Sequence, residues 1–369
     1  MQGRKRRCFL NSPTVANFLR SAEIESQSPS SLDALKAGGL EPKGFQEEEE
    51  MKVGVFAVLF SKMKFSEALG YIAQNGLEAV EIGTGNYPGG AHCPMKELLA
   101  GKRKAAAYKA EIESRGLEIS ALSCHGNPIH PDRAFARAHA GVQRDTIRLA
   151  ERLGVNTVVV FSGCPGDPKG GKYPNWVTCS WPPDFSEIVK WQWEAKVIPY
   201  WEKEAKFAKE HGVRLAFEMH PGFVVHSAET LMRLRQACGD NIGANFDPSH
   251  LFWQGMDPIA CVRYLGKAIY HVHAKDCRIY PPVATKGVLD TSSYTSEITR
   301  SWIFRTVGYG HGEDWWRDFV TTLRMDGYDG VLSIEHEDSL MSIDEGFKKG
   351  AAFLKNIVLK EKCGEAYWA

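Results

Sequence analysis

From Met51 onward, short runs of apolar and β-branched residues alternate with longer stretches whose apolar positions recur every three or four residues. The first kind predicts strands buried on both faces, the second amphipathic helices packed over them. MKVGVFAVLF (51–60) reads as a strand and FSEALGYIAQNG (65–76) as a helix closed by glycine. LEAVEIGTG (77–85), LEISALSCHG (117–126), VNTVVVFSG (155–163), VRLAFEMH (213–220), NIGANFD (241–247), KAIYHVHAKD (267–276) and YDGVLSIEHED (328–338) read as further strands. Between and after them, residues 95–116, 133–154, 185–211, 227–239, 257–265, 312–327 and 341–358 carry helical patterns. Eight strand-then-helix units in succession predict an α/β chain folded as a single (β/α)8 barrel over 51–369. A doubly wound open sheet is the competing architecture. It calls for a glycine-rich phosphate loop after the first strand, and VLFSKMKF is not one.

Two connections exceed simple links, 163–185 and 276–312. Both follow strands, so both belong to the C-terminal rim, where barrels of this kind keep their sites. Tyr173, Trp176 and Trp181, with Trp191 and Trp193 in the following helix, either wall a pocket or pack the first loop down. Residues 1–50 break the pattern with a basic start, a small polar middle and an EEEE run. They read as a disordered extension, or as sequence upstream of a natural start at Met51, rather than as a targeting peptide.

Composition narrows the class. Lys plus Arg and Asp plus Glu both total 45, and zero net charge argues against a partner bound through bulk electrostatics, nucleic acid above all. The nine cysteines are scattered with no CxxC pair, which suits a reduced, cytoplasmic protein. No apolar run approaches the roughly 18 residues of a membrane span.

Candidate chemistry lies at the ends of four successive strands, where residues two apart share a face. The fifth offers Glu218 and His220, the sixth Asn245 and Asp247, the seventh His271 and His273, the eighth Ser333 and Glu335. Closing the barrel would gather Glu218, Asp247, one histidine and Glu335 around one point. Such groups are costly to bury unless paired or bound to metal. Three carboxylates and an imidazole suit Mn²⁺ or Mg²⁺, with Co²⁺ or Zn²⁺ possible. The alternative is a buried ion-pair network.

These residues and their spacing resemble the xylose-isomerase-like TIM barrels, the sugar phosphate isomerase/epimerase superfamily, across 51–358. The resemblance implies Glu218, Asp247, His273 and Glu335 as metal ligands, His271 one layer deeper, and His250 near metal or substrate. The phrases CHGNPIHPD, EMHPGFVVHSAET, NFDPSHLFWQGMDP and RSWIFRTVGYGHG resemble the catalytic alpha subunits of bacterial C-glycoside deglycosidases. Those enzymes cleave the carbon–carbon bond of 3-oxo-C-glucosides and work with a small beta subunit. On this footing a base removes the proton beside a carbonyl while a divalent ion holds the oxygens, and the aglycone is eliminated. His220 is the candidate base, or else an orienting group. In related epimerases Glu218 and Glu335 would shuttle protons instead, so a keto-sugar 3-epimerase or aldose–ketose isomerase is the alternative activity. His125 and Asn127 are candidates for sugar hydroxyls. Arg305 and His311 are candidates to close over substrate, with a salt bridge to the rim the plainer reading of Arg305. An apurinic endonuclease relative and a non-catalytic sugar-binding barrel are the competing classes.

Overall fold

The computed structural model describes residues 50–361, 363–364 and 366–368. Except for Glu50, the proposed N-terminal extension lies outside the described residues. The strands are β1 (Lys52–Phe56), β2 (Ala79–Gly83), β3 (Glu118–Ser123), β4 (Thr157–Val160), β5 (Arg214–Glu218), β6 (Ile242–Phe246), β7 (Ile269–Ala274), β8 (Asp276–Ile279), β9 (Trp302–Arg305) and β10 (Val331–Ile334). Eight of them close a parallel barrel in the order β1-β10-β7-β6-β5-β4-β3-β2. The predicted (β/α)8 architecture is therefore present, and the open sheet is not.

Local chemistry explains the elements. The helix Arg133–Leu153 begins where the Asp132 carboxylate accepts the Ala134 and Phe135 amides at 2.7 and 3.1 Å. It ends at Gly154, whose φ of 70° is left-handed. Along the helix Glu313–Met325, Trp316, Phe319, Val320 and Leu323 form one buried stripe with the spacing of a single helix face. Phe319 stacks on Trp315 and packs against Phe246 of β6, tying this helix to the barrel wall. Replacing Phe319 by Ala should cost about 3–5 kcal/mol of stability, read from the urea midpoint.

Three boundaries differ from the sequence pattern. The first apolar run stays extended only to Phe56, and Ala57–Phe60 turn as a 3-10 helix. That turn places Phe60 edge-on against Phe347 at 5.0 Å, a tertiary contact that periodicity cannot anticipate. The 95–116 segment divides at Gly101, which is extended, into Met95–Ala100 and Lys102–Glu113. The 185–211 segment carries a π-turn at Gln192–Val197 between two α-helical pieces. Pro199 stands just beyond it and removes one ladder donor.

The long 276–312 connection is not featureless. β8 and β9 pair antiparallel, with Asp276 opposite Arg305 and Cys277 opposite Phe304. This ribbon rises directly from the end of β7 and packs Trp302 on Trp253 at 4.4 Å. In the 163–185 loop, the buried Gln192 side chain donates to the carbonyls of Gly166 and Asn175 at 3.0 and 2.7 Å. Trp176 packs against the Trp253–Trp302 cluster, whereas Tyr173 and Trp181 project outward. Packing-down thus accounts for Trp176 and not for the other two. The eight described cysteines are all free. Among the described residues no helix is long and apolar enough to cross a membrane.

Candidate metal centre

Each barrel strand from β5 to β7, and then β10, delivers one donor to the same point. One donor atom each from Glu218, Asp247, His273 and Glu335 lies within 4.8 Å of the other three. His273 Nδ1 is 3.1 Å from Glu218 Oε2 and 3.2 Å from Glu335 Oε2. Glu218, Asp247 and His273 are buried, and the Glu335 side chain retains 15% exposure, the open side of the cluster.

Two of these donors are unsatisfied. Asp247 Oδ2 and His273 Nδ1 are buried without a hydrogen bond. Lys275 Nζ stands 3.0 Å from Asp247 Oδ2, an ion-pair distance without hydrogen-bond direction. The other ends of the same side chains are fixed. Asp247 Oδ1 accepts the Ser249 amide at 2.8 Å, capping the short helix Pro248–Phe252. His273 Nε2 meets both oxygens of Glu81 at 2.9 and 3.1 Å. An oxygen and a nitrogen without hydrogen bonds, converging with two further carboxylates, fit a hard divalent cation.

The electrostatics fit the same reading. Burial pushes the Asp247 carboxyl up to about 7 against the pull of Lys275. Burial alone would keep His273 neutral, but Glu81, Glu335 and Glu218 outweigh it and raise its pKa well above the ordinary imidazole range. Burial would likewise raise Glu335, yet Lys275 and His273 together hold it well below the carboxylate range. A divalent ion must displace the protons that Asp247 and His273 hold. Ion affinity should therefore rise with pH, with roughly one to two protons released per ion. Calorimetry in buffers of different ionisation enthalpy measures that number.

The surrounding residues are placed as follows. His271 packs beneath the centre, as the resemblance implied, and joins it through Asn245. Its Nδ1–H donates to Asn245 Oδ1 at 2.8 Å, and Asn245 Nδ2 donates to Glu218 at 3.0 Å. Burial lowers His271 to about 4, so it is neutral at ordinary pH. His125 Nε2 sits 3.0 Å from Glu218 Oε2, and His250 Nε2 sits 3.1 Å from Glu218 Oε1. His220 lies beside them, its ring 4.1 Å from that of His250. Its Nδ1–H donates to the Pro221 carbonyl at 2.5 Å, which leaves Nε2 as the acceptor nitrogen. Burial lowers its pKa and keeps it neutral. Phe161 and Phe223, stacked at 4.4 Å, flank His220, while Phe304 of β9 sets its ring against His250 at 5.3 Å.

Three expected contact residues have other partners. The Asn127 carboxamide is bonded at both ends to the Cys164 backbone, each at 3.0 Å, clamping the loops after β3 and β4. Arg305 pairs with Asp338 at 3.0 Å and donates to the Tyr280 hydroxyl at 2.8 Å, the rim salt bridge. His311 holds Asp276 at 2.7 Å and stacks on Phe252. Neither Arg305 nor His311 pairs with any of the four donors.

Sequence reasoning missed three groups. Lys275 Nζ lies 2.7 Å from Glu335 and 3.0 Å from Glu337, and its carboxylate neighbours keep it an ammonium despite burial. Its signal was present, because residues 271, 273 and 275 share a face of one strand. Glu81 is the charged residue in AVEIG, a strand buried throughout. Asp276 accepts the backbone amides of Gly308, Gly310 and His311 and the Trp316 indole N–H. It anchors the GYGHG turn, and these four partners lie 32 to 40 residues away. Glu218, His220 and His250 form a second group of donors. The Lys275 ammonium lies 3.4 Å from His250 Nε2 in this group, as it lies 3.0 Å from Asp247 Oδ2 in the first.

Fold and site together define a sugar-isomerase-like barrel with a candidate cation centre. Residues 69–357 match the xylose isomerase-like TIM barrel family, and the chain belongs to it. Over 312 residues it is 38% identical to the YfiH protein of Bacillus subtilis (strain 168), covering 84% of this chain and 99% of that one. It is 24% identical over 322 residues to an inosose dehydratase of Mesomycoplasma hyopneumoniae (strain 7448), covering 84% and 97%. Among solved structures, the IOLI protein with a bound zinc atom superposes with a TM-score of 0.57 at 17% identity, over 84% of this chain and 98% of that chain.

Proposed function

We propose that this chain is a divalent-metal-dependent lyase that removes a proton beside a ring ketone and eliminates the substituent one carbon further on. The substrate proposed is a 3-oxo-C-glucoside, whose carbon–carbon glycosidic bond is the one broken, with a small partner subunit completing the enzyme. The observation that carries this reading is the convergence of four donors, with Asp247 Oδ2 and His273 Nδ1 buried and without a hydrogen bond. Glu218, Asp247, His273 and Glu335 would hold the ion, Mn²⁺ first among hard cations. When bound, it would supply Lewis-acid stabilisation of the charge that develops on the substrate oxygens.

The chain's own groups then have defined work. His220 is neutral, its Nδ1–H is committed to Pro221, and its Nε2 can take the substrate proton. The electron pair of the broken C–H bond enters the ring as an enolate. From there it forms a ring double bond and expels the aglycone with its bonding pair. A phenolic ring stabilises that departing carbanion, which takes back a proton. Phe161 and Phe223 beside His220, and Phe304 beside His250, offer apolar faces suited to a sugar ring and an aromatic aglycone. The name inosose dehydratase describes an elimination too, which supports the lyase reading of this chain.

An epimerase reading has one observation of its own. Glu218 and Glu335 stand at 3.1 and 3.2 Å from His273 Nδ1, so two carboxylates at the centre could each exchange a proton with a bound sugar. The deciding experiment loads the full chain with Mn²⁺, with and without a small partner subunit, and supplies a 3-oxo-C-glucoside in D₂O. Free aglycone supports the lyase. Deuterium in the sugar with no aglycone released supports the epimerase, and neither result sinks both. Independently, Mn²⁺ at 100 times its Kd should stabilise the fold by about 2.7 kcal/mol, read as a rise in the urea midpoint.

A further inference from the structure

We infer that Glu81 is the positioning residue that selects which nitrogen of His273 faces the centre, and that it thereby sets the centre's affinity for a divalent ion. This rests on reading Glu218, Asp247, His273 and Glu335 as a metal site.

Glu81 lies on β2, across the barrel from β7, and is fully buried. An unpaired carboxylate there would be very costly. It is instead bonded from three other strands. His273 Nε2 of β7 meets its two oxygens at 2.9 and 3.1 Å, the Ser333 hydroxyl of β10 donates at 2.7 Å, and the Ser123 hydroxyl of β3 donates as well. An ionised carboxylate only accepts hydrogen bonds, so the nitrogen facing Glu81 must carry a proton. That keeps a proton on Nε2 and makes Nδ1 the nitrogen whose proton an incoming ion displaces.

The rest of the pocket does not make this choice. Phe56 stacks on the His273 ring at 5.7 Å and holds its plane, but an apolar face does not distinguish one nitrogen from the other. His271 is 3.9 Å from Glu81, and its own nitrogens are engaged by Asn245 and Ser120. Glu218 and Glu335 lie 3.1 and 3.2 Å from Nδ1 but without hydrogen-bond direction, so Glu81, bonded to Nε2, is the group that breaks the ring's symmetry. Its charge also makes Nδ1 a better donor to a cation.

The test is a Mn²⁺ titration of the full chain, with free Mn²⁺ followed by its electron paramagnetic resonance signal. Glu81→Gln keeps the shape and removes the charge, and should weaken Mn²⁺ binding about 10- to 100-fold. Ser333→Ala removes a Glu81 hydrogen bond but leaves the His273 pair, and should stay within about threefold of wild type. In the Zn²⁺-loaded protein, the His273 Nε2–H proton should resonate far downfield and move upfield in Glu81→Gln. If Glu81→Gln does not fold, Glu81→Asp replaces it, with the carboxylate drawn back by one methylene and binding weakened roughly 10-fold. Wild-type affinity in the Glu81 variants, or an equal loss in Ser333→Ala, overturns the inference while the metal site stands. A wild-type chain that binds no Mn²⁺ removes the site and the inference together.

Discussion

Asp247→Asn should reduce turnover by about 10³-fold or more and take most of the bound Mn²⁺ with it. In free-energy terms that is a transition-state loss of about 4 kcal/mol. The substitution is chosen because the two oxygens of Asp247 do different things. Oδ1 caps the helix Pro248–Phe252 through the Ser249 amide, and the Asn oxygen can still do so. Oδ2 is buried with no hydrogen bond, and in Asn it becomes an uncharged NH₂ aimed at the ion. The fold should survive while the centre fails. Metal content by elemental analysis, set beside circular dichroism, separates the two. A variant that retains a full complement of Mn²⁺ would remove Asp247 from the ligand set.

His220→Asn should give the opposite signature, with metal content unchanged and kcat lowered by about 10²- to 10⁴-fold. His220 is not among the four converging donors, so the ion should remain. Its Nε2 is the acceptor nitrogen left free once Nδ1–H is given to the Pro221 carbonyl. The shorter Asn amide can retain the contact to Pro221 but supplies no basic nitrogen. Solvent-deuterium exchange at the substrate carbon should fall in step with kcat. Exchange at the wild-type rate with slow product release would move the base elsewhere, with Glu218 and Glu335 the next candidates. Lys275 needs separate treatment in any such series. It is a buried ammonium between Asp247, Glu335 and Glu337, and its removal would leave three carboxylates uncompensated.

Strand and helix order, the closed parallel barrel and the placement of Glu218, Asp247, His273 and Glu335 at strand ends were legible along the chain. The reason is that period-two and period-3.6 patterns are local properties of the sequence, and strand-end polar residues interrupt them visibly. Partnership between distant strands was not legible. Glu81 and His273 are 192 positions apart, and Asn127 meets Cys164 across two loops. No local pattern encodes such pairs. They exist because closing the barrel brings β2 opposite β7 in an interior where each polar atom must find a partner or an ion.

The amino-acid sequence by itself thus determined which side chains arrive at the barrel mouth, since alternation along each strand is a property of the backbone. Tertiary structure decided what those side chains do on arrival. It turned Arg305 to Asp338 and His311 to Asp276, put Lys275 among the carboxylates, and left one oxygen of Asp247 and one nitrogen of His273 buried without a hydrogen bond. Those outcomes depend on distances and directions between strands, quantities that come into being only once the barrel closes.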